Sequence, residues 1–145
     1  MINLKLETGM ALAALGLHAM FVLYLPSLYY ALSRPVEPGS IILIPWQLLL
    51  VGIFLFGLPG FGLAGVAYVL SKREATKRVS MILIAQGILM PLGMLYSSML
   101  ANNINEEYKS AELLMVPQIF LVAGFAMIGL GVHLARLKPL RRRTM

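Results

Sequence analysis

The sequence predicts an all-α integral membrane protein with four transmembrane helices, and three observations carry that reading. Hydrophobic residues make up 59% of the 145 positions and charged residues only 12%, against about 25% charged in an ordinary soluble domain. Mean hydropathy is +0.83. Four charge-free windows of 26, 34, 27 and 23 residues then divide the chain, each longer than the roughly 20 residues that a spanning helix needs. The windows are apolar on every face rather than alternating, so they read as lipid-embedded helices and not as barrel strands. One membrane domain covering 1–145 follows, with no polar stretch long enough for a separate catalytic module.

The first window, between Glu7 and Arg34, predicts a helix near 9–32. Its apolar run far exceeds the 7–15 residues of a cleavable signal, and Lys5 alone supplies a basic flank, so this helix is expected to stay in the mature protein. The second window, between Glu37 and Lys72, predicts a helix near 41–70. At that length it would reach roughly 50 Å against a hydrocarbon core of about 30 Å. Gly57, Leu58, Pro59 and Gly60 lie near its middle, so a kink or break is expected at Pro59 and Gly60. The third and fourth windows predict helices near 79–101 and 113–135. Pro45 and Pro117 are read as helix starts, where a missing N–H costs little because the first turn is unpaired in any case. The connector 102–112, with Glu106, Glu107 and Glu112, is read as solvated.

Orientation follows from the basic residues. Ten of the twelve Lys and Arg fall at the N-terminus, in the 72–78 loop and in the tail, while the other two loops carry only Arg34 and Lys109. Retention of Lys and Arg on the cytoplasmic side therefore places both termini inside a cell membrane. Tyr29, Tyr30, Trp46, Tyr96 and Tyr108 fall at or near the expected outer ends, where amphipathic rings favour the interface. The net charge of +6 is thus read as topology rather than as a nucleic-acid surface. Arg141, Arg142 and Arg143 form a basic tail expected to lie against anionic lipid.

The two halves look alike. Pro45, Gln47 and Gly52 align with Pro117, Gln118 and Gly124 when two single-residue gaps are allowed, and the preceding helices carry His18, Pro26, Tyr29 and Gln86, Pro91, Tyr96 in the same order. A tandem pair of helical hairpins of roughly 70 residues each is the reading this supports.

Few side chains carry chemistry. Cysteine is absent, which excludes disulfides, thiolate metal sites and thiol nucleophiles. No Asp, Glu, Lys or Arg falls within a window, whereas proton-coupled carriers place an ionisable group at depth. The first window lacks the Glu that the small four-helix multidrug transporters carry there, so a likeness in size does not extend to that family. His18 is the one weak candidate for haem or metal ligation. It is expected roughly 13 Å deep against roughly 3 Å for His133, and the better reading is a hydrogen bond to a neighbouring helix. Met90 and Met94, one turn apart, are read as lipid-facing or gap-filling. No catalytic residue, metal or cofactor is assigned.

Small residues supply the assembly signal. Gly9, Ala13 and Gly16 recur along the first helix, and Gly60, Gly62, Ala64 and Gly65 along the second; such stripes let helix backbones approach closely. The expected function is a non-catalytic accessory or assembly subunit whose partners are lipid and other membrane chains or copies of itself, with Gly60, Gly62, Ala64 and Gly65 as the leading interface. A small channel or uncoupled transporter is the alternative, resting on the helix break and a polar outer mouth of Ser27, Gln47, Ser97, Ser98 and Gln118. A haem or quinone redox protein comes third.

Overall fold

A computed structural model describes residues 5–34, 45–74, 76–104 and 106–138. Among them the chain forms α1 (Leu6–Ser33), α2 (Pro45–Gly52), α3 (Leu58–Glu74), α4 (Lys77–Ala101) and α5 (Ala111–Arg136). A π-helical turn, Ile53–Gly57, joins α2 to α3, and a 3-10 turn, Glu106–Tyr108, precedes α5. With α2, the π turn and α3 running on as one helix, four helices are long and apolar enough to cross a membrane. The protein is a multi-pass, all-α membrane protein. The expected first residues of the second span, 41–44, and the basic tail Arg141, Arg142 and Arg143 lie outside the described residues.

Each span runs past its apolar window into polar sequence. The backbone ladder costs nothing to extend at the interface, and long basic side chains reach back to water. Local signals fix several ends. Pro45 opens α2, the position where its missing donor is harmless. The Ser110 side chain accepts from the Leu113 N–H to cap α5, with Glu112 in the first turn, where a carboxylate meets the positive end of the helix dipole. Lys72 and Arg73 close α3, and His133 and Arg136 close α5, at the complementary negative ends.

The packing is that of two hairpins side by side. α4 packs most extensively on α5, while α1 packs on α4 and on α3, and the second span meets the fourth only sparsely. The first and third spans are therefore the central pair. The first hairpin closes at Gly52 and Gly60, and the second at Gly124, Gly131 and also Gly87, where a Cβ would collide with the Ile128 side chain and backbone. A Cβ on Gly52 would fall 2.4 Å from the Tyr24 ring and one on Gly60 would fall 2.6 Å from His18; a Cβ on Gly124 would meet Pro91 at 2.6 Å and one on Gly131 would meet Ile84 at 2.6 Å. Gly52 and Gly124 are the residues that the internal alignment pairs, and Gly60 and Gly131 stand a further eight and seven residues along. A tight glycine contact therefore recurs at the aligned position of each half, Gly52 against Tyr24 and Gly124 against Pro91.

Two buried clusters fill the bundle. Near the end that carries Lys5, Lys72, Arg73, Lys77, Arg78 and Arg136, hereafter the basic end, Ala11, Ala14, Ala64 and Ala67 sit with Val79, Leu83, Met127 and Leu134. Toward the other end Phe21, Leu25, Tyr29, Leu49, Met90, Met94 and Phe120 take over. Small residues draw α1 and α3 together at the basic end, and rings hold the spans apart beyond it: Phe21 and Phe120 lie 4.7 Å apart, and Phe61 and Phe120 5.9 Å. Met90 and Met94 are gap-fillers within that cluster.

Two local expectations are corrected, and a third, the fault at Pro59, is placed more narrowly. Pro117 does not start its helix; α5 begins at Ala111, so Pro117 is six residues inside. Proline there deprives the carbonyl four residues earlier, on Leu113, of its helical donor. Tyr29 supplies the missing one. Its hydroxyl donates to the Leu113 carbonyl, and its ring is fully buried rather than placed in an interfacial belt. At Pro59 the helix does not part. The widened π turn just before it absorbs the fault, with the Leu58 N–H bonding the Ile53 carbonyl five residues back. This relieves the contact that a proline ring makes with the carbonyl four residues before it in a regular α-helix.

Candidate functional site

The strongest polar feature in the membrane-spanning region joins the central pair of helices. His18 is twelve residues into α1 and Gln86 nine into α4, depths of roughly 18 Å and 14 Å, so two helices running in the same direction bring them level. Both side chains are fully buried. His18 Nδ1 lies 2.8 Å from Gln86 Oε1. Gln86 Nε2 donates to the Ala11 carbonyl at 3.0 Å. That second bond orients the amide, because an NH2 cannot accept; Oε1 is then the acceptor and His18 Nδ1 carries the proton. The hydrogen bond from His18 to a neighbouring helix is thus present, and Gln86 on α4 is its partner.

Nε2 is left as an acceptor. It is buried and has no hydrogen-bond partner among the described residues. The ring edge bearing it lies on Gly60, where a Cβ would come within 2.7 Å of Nε2, and the Phe61 ring closes the same side at a centroid distance of 4.5 Å. A porphyrin ligated through Nε2 would need several ångströms between α1 and α3, and the contact at Gly60 leaves no room even for a methyl group. The haem reading of His18 therefore does not fit this packing. His133 is exposed at the basic end beside Tyr68, at 6.3 Å between ring centroids, and does not share a site with His18. Among the described residues no three His, Asp or Glu side chains gather as a metal site would require.

The predicted small-residue surface divides into two faces. Gly60 and Ala64 turn inward, Gly60 under His18 and Ala64 in the alanine-rich cluster. Gly62 is exposed and Gly65 half-buried, and a Cβ on either meets nothing within 4 Å. Gly9 and Gly16 behave as Gly62 and Gly65 do, and Ala13 between them is exposed. The expected polar mouth also disperses: Gln47, Gln118 and Ser27 are exposed, while Ser97 is buried and bonds its own helix at the Gly93 carbonyl.

Sequence reasoning missed the Tyr29 bond to Leu113 and the Ser80 hydroxyl, which donates to the Gly131 carbonyl at 2.7 Å. A signal for the first existed: a buried proline well inside a helix implies an orphan carbonyl, and tyrosine is the natural donor at that depth. The sequence matches no protein-family model, and no characterised protein or solved structure shows significant similarity to it.

Proposed function

We propose that this chain is a non-catalytic subunit or assembly factor of a larger membrane complex, working through contact with other membrane chains. One observation supports it above others: Gly62 and Gly65 on α3 sit at outward positions where the chain's own packing does not demand glycine. Glycine in a helix interior is destabilising by roughly 0.5–1 kcal/mol relative to alanine, and a partner helix at close approach is what would offset that cost. Native mass measurement of the chain extracted in mild detergent at native abundance tests the reading. The wild type is expected to travel with partner chains and Gly62→Leu and Gly65→Leu to lose them while inserting normally; a folded monomer in every case would sink the proposal. Ala64 is not used for this purpose, because it is core.

The proposed orientation has both termini on the cytoplasmic side of the cell membrane. Seven described basic residues lie at one end of the bundle and two, Arg34 and Lys109, at the other, the imbalance that retention of cations produces. An introduced cysteine at position 109 should react with an impermeant reagent added outside intact cells and one at position 73 should not. The reverse pattern would invert the topology.

A small channel or uncoupled transporter is the second reading. It draws on the π turn Ile53–Gly57, since such turns interrupt regular hydrogen bonding within membrane helices and occur often at functional sites.

A further inference from the structure

At the basic end the helices of the central pair start side by side, and two cavities meet there. One, of about 240 Å³, is lined by Lys5 and Thr8 of the first segment and by Thr76, Lys77 and Arg78 of the third. The other, of about 380 Å³, continues along the same seam and is lined by Thr8, Leu12 and Leu15 on α1 and by Arg78, Met81, Ile82 and Ala85 on α4. Thr8 and Arg78 belong to both. The first cavity offers three cationic side chains and two hydroxyls. The second is an apolar trough extending over seven residues of each helix, about 10 Å.

We infer that this continuous pair of cavities binds one anionic phospholipid, with its phosphate in the basic cavity and the upper part of one acyl chain in the α1/α4 trough. Charge complementarity selects the head: guanidinium and ammonium groups with nearby hydroxyls suit phosphate oxygens, and basic pockets between transmembrane helices are recognised sites for anionic headgroups. The N-terminus of α4, with no acidic residue in its first turn, adds the positive end of a long helix dipole, while that of α1 already meets Glu7. Continuity selects a lipid over a free phosphate. A soluble anion has no use for Leu12, Leu15, Met81 and Ala85, whereas a chain leaving the phosphate enters the trough directly. This site is independent of the proposed partner surface on Gly62 and Gly65.

The test uses the full chain in mild detergent, offered dioleoyl-phosphatidylglycerol, dioleoyl-phosphatidylcholine or glycerol phosphate, with retained ligand read by native mass measurement. The wild type is expected to retain one phosphatidylglycerol in preference to phosphatidylcholine, and glycerol phosphate should not displace it. Arg78→Gln should lower that preference about fivefold, the factor corresponding to one basic residue at a headgroup. Arg73→Gln removes the same charge from the same loop without touching either cavity, and should change it less than twofold. Ala85→Phe, at an exposed position facing the trough, should reduce retention of both lipids. Arg78, Arg73 and Ala85 are all exposed, so none of the variants removes core packing. Equal effects of Arg78→Gln and Arg73→Gln would show diffuse attraction and overturn the site. So would unchanged retention in Ala85→Phe, or full displacement by glycerol phosphate.

Discussion

Tyr29 and Pro117 show how far one residue's meaning depends on another 88 positions away. Proline leaves the Leu113 carbonyl without its α-helical donor, and within a membrane no water is present to replace it. The Tyr29 hydroxyl fills that vacancy from α1, tying the first span to the fourth. Removal of the hydroxyl in Tyr29→Phe should therefore destabilise the bundle by about 0.5–2 kcal/mol, the range of interhelical hydrogen bonds in membrane proteins. In a Pro117→Ala background the residue-117 N–H returns to Leu113, and the same Tyr29→Phe change should then cost less than half as much. Unfolding measured in detergent on the four members of this double-mutant cycle gives the coupling directly; equal costs in both backgrounds would mean that the tyrosine acts through ring packing alone.

At the scale of elements, hydropathy made the four spans legible because a bilayer imposes one requirement on every stretch that crosses it. What it left out are the features decided by neighbours. His18 and Gln86 were visible as polar residues in matching places, but only the parallel run of α1 and α4 brings them level. Gly60 and Gly62 look equivalent in the sequence, yet helical rotation sends one under His18 and the other outward. The fault at Pro59 was legible; the way the chain accommodates it was not, since proline is compatible with a kink, a break or a π turn. The π turn amounts to one extra residue in an otherwise α-helical span. Deleting Leu55, an exposed residue within it, should restore α register and keep Gly60, Ala64 and Ala67 facing α1, provided that Pro59 is also replaced by Ala. With Pro59 retained, the same deletion should cost about 3 kcal/mol or more, the penalty of proline in a regular helix interior. Thermal unfolding of the two deletion variants checks this. Equal stability would show that the π turn is not the accommodation of Pro59.

The whole molecule is two hairpins meeting along α1 and α4, and their interface carries more polar bonding than its apolar setting would suggest. Lipid chains are as apolar as leucine, so burial of hydrocarbon gives the hairpins little reason to prefer each other to the bilayer; shape and hydrogen bonds must do so. Shape is supplied by Ala11 and Ala14 at one end and by Gly93, where a Cβ would fall 2.5 Å from Val22, nearer the other. The His18 and Gln86 bridge lies between them, whereas the bonds inside the hairpins run from Tyr24 to the Leu48 carbonyl and from Ser80 to the Gly131 carbonyl. The bridge also fixes the vertical register of the two halves, because sliding one helix by a single turn, about 5.4 Å, would break both bonds that Gln86 makes. Co-expression of the chain split within the connection between Glu74 and Lys77 should therefore give two inserted hairpins that reassociate. Gln86→Leu should weaken that association about 3- to 15-fold, the equivalent of 0.6–1.7 kcal/mol for membrane hydrogen bonds. His18→Leu should weaken it less than twofold further when combined with Gln86→Leu, since the shared bond is already lost. Co-purification of a tag on one half with the other reads the outcome. Halves that insert but never pair would show that the covalent connection, and not the α1/α4 seam, holds the hairpins together.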